Sequence, residues 1–221
     1  MEDQLAIADI QQSFFEYRAD FKEPILAFWF ERRHGEILGA LYKALAPWHV
    51  GLQNITWNQG AKNANEIQFT FGIPSLLASM QVGIGGVTIT ATNPYWARAA
   101  ELVSFFQAGL EALKESTAQE LQSQFVTLAF HVKPVGENSF KQILSQFVNT
   151  RALGAEDAAM YGVSVYSSDY SFVIDGSVVI PGGVFIKLLR NFSAETRFEQ
   201  MAATLYEDEA TVLRRLGLKL Q

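Results

Sequence analysis

Apolar residues recur along this chain with two periods, and the periods predict its elements. Alternation every second residue, or a short apolar run, places strands at 25–33 (ILAFWFERR), 52–58, 66–72, 77–83 and 87–92, the last reading V-T-I-T-A-T. Spacings of three and four place a helix at 36–46, with Ile37, Leu38, Leu41 and Leu45 on one stripe that stops at Pro47. A longer helix is predicted from Pro94 to about Lys114, with Trp96, Ala99, Val103, Phe106, Leu110 and Leu113 on its apolar face. Asn93 serves as its cap and Pro94 as its first residue.

The pattern then starts again. A strand at 125–133 is followed by a helix at 139–148 (Phe140, Ile143, Leu144, Phe147), strands near 162–168, 170–175, 177–181 and 184–190, and a helix from Ala194 to Leu216. Letters recur with the elements. Leu26-Ala27-Phe28 returns as Leu128-Ala129-Phe130, Gly35-Glu36 as Gly136-Glu137, Ile37-Leu38 as Ile143-Leu144, and Gly85-Gly86-Val87-Thr88-Ile89 as Gly182-Gly183-Val184-Phe185-Ile186. The expectation is an α+β protein with an internal duplication of a β-α-β-β-β-β-α unit, its antiparallel sheet packed on long helices on one side. An N-terminal segment (1–24) precedes repeat one (25–118) and repeat two (119–221), the whole forming one continuous structural unit.

The stretch Gly83 to Trp96 places clustered glycines ahead of a helix, as a phosphate-binding loop does. Such a loop needs its glycines directly before the helix, so that free N–H groups meet the anion. Here Val87–Thr92 intervenes as a strand, so Gly85-Gly86 is read as a hairpin turn whose glycines supply positive φ.

Matching the repeats assigns faces. Leu26, Phe28 and Phe30 correspond to Leu128, Phe130 and Val132, and Val87, Ile89 and Ala91 to Val184, Ile186 and Leu188, all pointing at the helices. The opposite side carries Thr88, Thr90 and Thr92. It also carries the candidate binding residues Trp29, Glu31, Arg33, His131, Lys133, Phe185 and Lys187, a mixed aromatic and charged surface suited to a partner. The competing reading covers this face with the N-terminal segment, whose Leu5, Ile7, Ile10, Phe14 and Phe15 need a surface to lie on.

Composition narrows the classes. The chain has 221 residues, 49% of them hydrophobic, enough for a sizeable core, and no cysteine, which removes disulfides and thiolate chemistry. Its charge of −6 is spread over both halves, and arginines pair only at Arg32-Arg33 and Arg214-Arg215, so nucleic acid is a disfavoured partner. The N-terminus is acidic and charged, unlike a signal peptide, and the apolar runs are too short for a bilayer, which takes about 20 residues. These features imply a cytoplasmic protein without a membrane partner.

Catalytic templates find no match. His34, His49 and His131 lie in no metal-ligand spacing, no G-x-S-x-G or S-x-x-K is present, and Glu207-Asp208-Glu209 reads as a solvated helix face, with Glu156-Asp157 in a loop. No catalytic residue, metal or cofactor is expected. His131 is the histidine placed to bind or titrate on the open face.

The order strand, helix, four strands, helix, occurring twice after Lys22, resembles the TATA-box-binding protein and related helix-grip folds, and more loosely the sliding clamps. Arg33, Lys133 and Lys187 against Glu31 depart from the basic DNA-contacting surface that this resemblance implies. The stretches Glu23-Pro24-Ile25-Leu26-Ala27-Phe28 and Arg197 through Leu218 are also similar to a sporadically distributed, uncharacterised bacterial family, which implies bacterial origin and a shared fold without transferring any site residue. The functional expectation is a non-catalytic binding or scaffold protein, with a protein partner or a second copy bound through the open face or by self-association. The alternatives are a helix-grip protein or enzyme that takes a small apolar ligand, and a nucleic-acid binder.

Overall fold

A computed structural model describes residues 6–26, 33–58, 62–94, 98–134, 140–145, 147–149, 152 and 162–220. Its first strand, β1, spans Ala6–Phe21 and is the longest described. The reason lies in F-F-E-Y-R-A-D-F: Tyr17, Ala19 and Phe21 are buried, while Glu16, Arg18 and Asp20 take the other side, a two-residue period over a pleated backbone. Of the expected first strand at 25–33, the described ends, Ile25, Leu26 and Arg33, are not strand. The segment before residue 25 is itself sheet rather than a cover for one. Leu26 lies outside any strand and is 50% exposed, so it is not the counterpart of buried Leu128, and residues 27–32 lie outside the described residues.

The chain continues through α1 (His34–Ala44), β2 (Ile55–Trp57), β3 (Gln68–Ile73), β4 (Ala78–Gly83), β5 (Gly86–Thr92) and α2 (Ala99–Thr117). There follow β6 (Leu121–Pro134), α3 (Phe140–Ser145), β7 (Val163–Tyr166), β8 (Tyr170–Gly176), β9 (Val184–Ser193), α4 (Phe198–Arg215) and β10 (Leu218–Leu220). Sheets and helices together make an α+β protein. It divides into two compact units, residues 15–126 with 192–195, and residues 1–14 with 127–191 and 196–221.

In the first unit, β2, β3, β4 and β5 form an antiparallel meander, followed by β1 and then the start of β6. Phe69, Phe71, Met80, Val82, Val87 and Ile89 are buried on one face, and Phe105, Phe106, Leu110 and Leu113 of α2 are buried as well. Each buried aromatic or aliphatic side chain contributes roughly 1.5–3 kcal/mol. The other face is polar and uncharged across β3–β5, with Ser79 bonded to Thr90 at 2.9 Å and Gln81 to Gln68.

Helix α2 begins five residues later than its proline suggested. Asn93 adopts left-handed backbone (φ 47°), Pro94 is not helical, and Arg98 precedes the first turn. Its buried stripe passes through Leu102 and Phe105 as well as Phe106, with Val103 half-buried.

The expected hairpin is present but one residue earlier, with Ile84-Gly85 as its loop and Gly86 already in β5, and its stated reason does not hold. Val82 pairs with Val87 around it, yet neither glycine has positive φ. Gly86 is needed for close approach: a Cβ there would lie 2.5 Å from the Ala19 carbonyl oxygen of β1.

In the second unit, β7, β8 and β9 form an antiparallel meander with β6 beside β9, and β10 runs parallel to β1 at Ala6–Ala8. Phe130, Val132, Val184, Ile186 and Leu188 are buried, as are Met201, Leu205 and Val212 of α4. The expected strand at 177–181 is instead a turn, so among the described residues three strands, not four, separate α3 from α4. Phe147, placed on an apolar stripe, is 44% exposed.

Candidate functional site

The outward side of β6 and β9 in the second unit gathers four of the residues that sequence reasoning singled out. His131 and Lys133 stand on β6, Phe185 and Lys187 on β9, on the side opposite the buried valines and isoleucines. The His131 and Phe185 rings lie 4.8 Å apart with 38° between their planes. Lys133 is exposed and Lys187 half-buried. Asp175 and Val173 on β8 pair with Phe185 and Lys187 and extend the row.

A turn fixes the histidine. The Ser177 hydroxyl oxygen accepts hydrogen bonds from the backbone N–H groups of Val179 (3.2 Å) and Ile180 (2.9 Å) and lies 2.9 Å from His131 Nδ1. Both of its lone pairs are thereby engaged, so its proton goes to Nδ1 and the ring carries its own proton on Nε2. Burial lowers the His131 pKa, keeping the imidazole neutral at neutral pH. The turn closes through Gly182 at φ 70° and Gly183, where a Cβ would lie 3.0 Å from the Val132 carbonyl oxygen.

Ser177 is buried and its oxygen already holds two amides, which suits a group that shapes a turn rather than a nucleophile. The arrangement can present one ring N–H donor, an aromatic surface and two ammonium groups to a partner.

The other candidate residues lie elsewhere. Arg33 is not on a strand: it precedes α1 and its guanidinium is paired with Glu36 at 2.8 Å. Trp29 and Glu31, like Glu156-Asp157, fall outside the described residues. His34 sits edge-on to Trp57 at 4.3 Å, and His49 ends a short 3₁₀ turn in left-handed conformation (φ 54°). Among the described residues no group of three or more His, Asp or Glu side chains could hold a metal, and no helix is long and apolar enough to cross a membrane.

Two features were missed in the sequence. The apolar run 177–181 reads as a strand and hides Ser177, although Pro181-Gly182 just beyond it signals a turn. The run Glu207-Asp208-Glu209 is only partly solvated. Asp208 pairs with Arg190 at 3.1 Å, and Arg190 in turn lies 5.4 Å over the Tyr170 ring. Desolvation raises the Asp208 pKa although Arg190 opposes it, and burial raises that of Glu209. In the first unit, a cavity of about 60 Å³ lined by Leu76, Leu77, Pro94, Arg98 and Leu102 is far below the roughly 300 Å³ at which ligand pockets begin. The chain matches no protein-family model and no curated protein sequence.

Proposed function

We propose that this is a non-catalytic binding or scaffold protein that docks a protein partner on the face around His131 and Phe185. The observation that carries this reading is the His131–Phe185 pair, locked by Ser177 and accompanied by Lys133 and Lys187. A preorganised aromatic anchor beside cations suits a partner that offers an apolar side chain with carboxylates around it. Lack of cysteine favours a reducing, cytosolic setting.

The same reading includes an internal duplication, now on a different alignment. Leu102, Phe106 and Leu113 of α2 match Met201, Leu205 and Val212 of α4 at a constant offset, all buried. Val87, Ile89 and Ala91 match Val184, Ile186 and Leu188 in the same way. Gly86 lies against the Ala19 carbonyl of β1 as Gly183 lies against the Val132 carbonyl of β6. β1 is then the counterpart of β6.

Affinity capture from lysate with the wild-type protein and a His131→Ala, Phe185→Ala double variant tests the docking surface. Partners held by the wild type should be lost from the variant while its circular dichroism stays unchanged. Identical captured sets would remove this face from consideration.

A further inference from the structure

We infer that a second copy of this chain adds to the sheet edge formed by β7, giving a two-fold dimer by antiparallel pairing of β7 with itself. This goes beyond the open-face reading and does not rest on it.

Among the described residues β7 ends the strand order of its unit, paired with β8 on one side. Ser164, Val165 and Tyr166 are exposed, Val165 at 36% and Tyr166 at 77%. The Ser167 N–H bonds the Tyr170 carbonyl at 2.8 Å, and antiparallel ladders alternate, so Val165 and Val163 also turn their backbone groups toward β8. Ser164 and Tyr166 therefore turn theirs to the outer edge.

Natural sheets blunt such an edge with lysine, proline or a bulge. Residues 163–168 read V-S-V-Y-S-S and contain none of the charged or proline devices.

The same edge is its own complement. With Val165 opposite Val165 of the second copy, each Ser164 meets Tyr166 of the other copy. The outward N–H and C=O groups then face each other, and the side chains keep their proper faces. No charge lies on either edge, so the −6 of each chain does not oppose the contact locally. The two-fold closes the interface and prevents growth into fibres. Edges of four residues bury less than the roughly 1,200 Å² of a stable complex, which points to a weak dimer populated at high concentration.

Sedimentation velocity on the full chain, from about 1 µM to about 1 mM, reads this directly. The wild type should move from 24.6 kDa toward twice that mass as concentration rises. Ser164→Pro removes an outward N–H without touching the β8 ladder, and Tyr166→Lys places charges across the new pairing. Either variant, checked for native circular dichroism, should raise the dissociation constant at least tenfold, whereas Phe185→Ala should dimerise like the wild type. A wild type that stays at 24.6 kDa throughout, a dimer unchanged in both edge variants, or a dimer lost in Phe185→Ala overturns the inference.

Discussion

Ser177 Oγ lies 2.9 Å from His131 Nδ1 while accepting the N–H groups of Val179 and Ile180, so one hydroxyl both shapes a turn and sets a ring. Ser177→Ala leaves the part-buried amides of Val179 and Ile180 without their acceptor. Chemical denaturation should show a loss of about 1–3 kcal/mol, and the His131 titration followed by NMR should shift as the ring loses its fixed tautomer.

Gly86 and Gly85 are neighbours with opposite tolerances. A Cβ on Gly86 meets the Ala19 carbonyl oxygen at 2.5 Å, whereas one on Gly85 meets nothing within 4 Å. Gly86→Ala should cost about 1–3 kcal/mol in thermal or denaturant unfolding, and Gly85→Ala should stay within about 0.5 kcal/mol.

The Tyr17 hydroxyl donates to Gln124 Oε1 at 2.7 Å, and the Gln124 amide donates in turn to the carbonyls of Ser193 (2.8 Å) and Ala194 (3.2 Å). Both side chains are buried, so truncation strands polar groups away from water. Tyr17→Phe should cost about 1–2 kcal/mol in urea unfolding, and Gln124→Ala should cost more, because it abandons a hydroxyl and two carbonyls together.

Glu209 gives the sequence of events on titration a definite sign. Burial raises its folded pKa above the ordinary 4.5, so the native state holds its proton after the unfolded chain has released it. Stability from this group is full below 4.5, falls as pH rises through the raised folded value, and stays reduced above it. Glu209→Gln should therefore gain stability relative to wild type as pH is taken from 4 to 7, read from paired urea melts at each pH.

Much of the meander was legible because its strands alternate strictly: β3, β4 and β5, and β9 as far as Leu188, bury every second residue. β1 was not, because its alternation from Phe15 to Phe21 competes with the denser apolar run I-L-A-F-W-F that follows. The turn at 177–182 was hidden by its own valines and isoleucine, which have strand propensity although the valines stand exposed: Val178 is 81% accessible. In the candidate site, His131 and Phe185 could be put on one side of the sheet from alternation alone. Their link to Ser177 could not, since it depends on how the β8–β9 turn folds back.

Docking on the outward side of β6 and β9 is tested most directly by site-specific photocrosslinking in cells. A benzophenone side chain at Lys187 should yield a discrete adduct with a partner, and the same probe at Gln81, on the uncharged sheet face of the other unit, should not. No adduct from position 187, or equal adducts from both positions, would contradict the assignment.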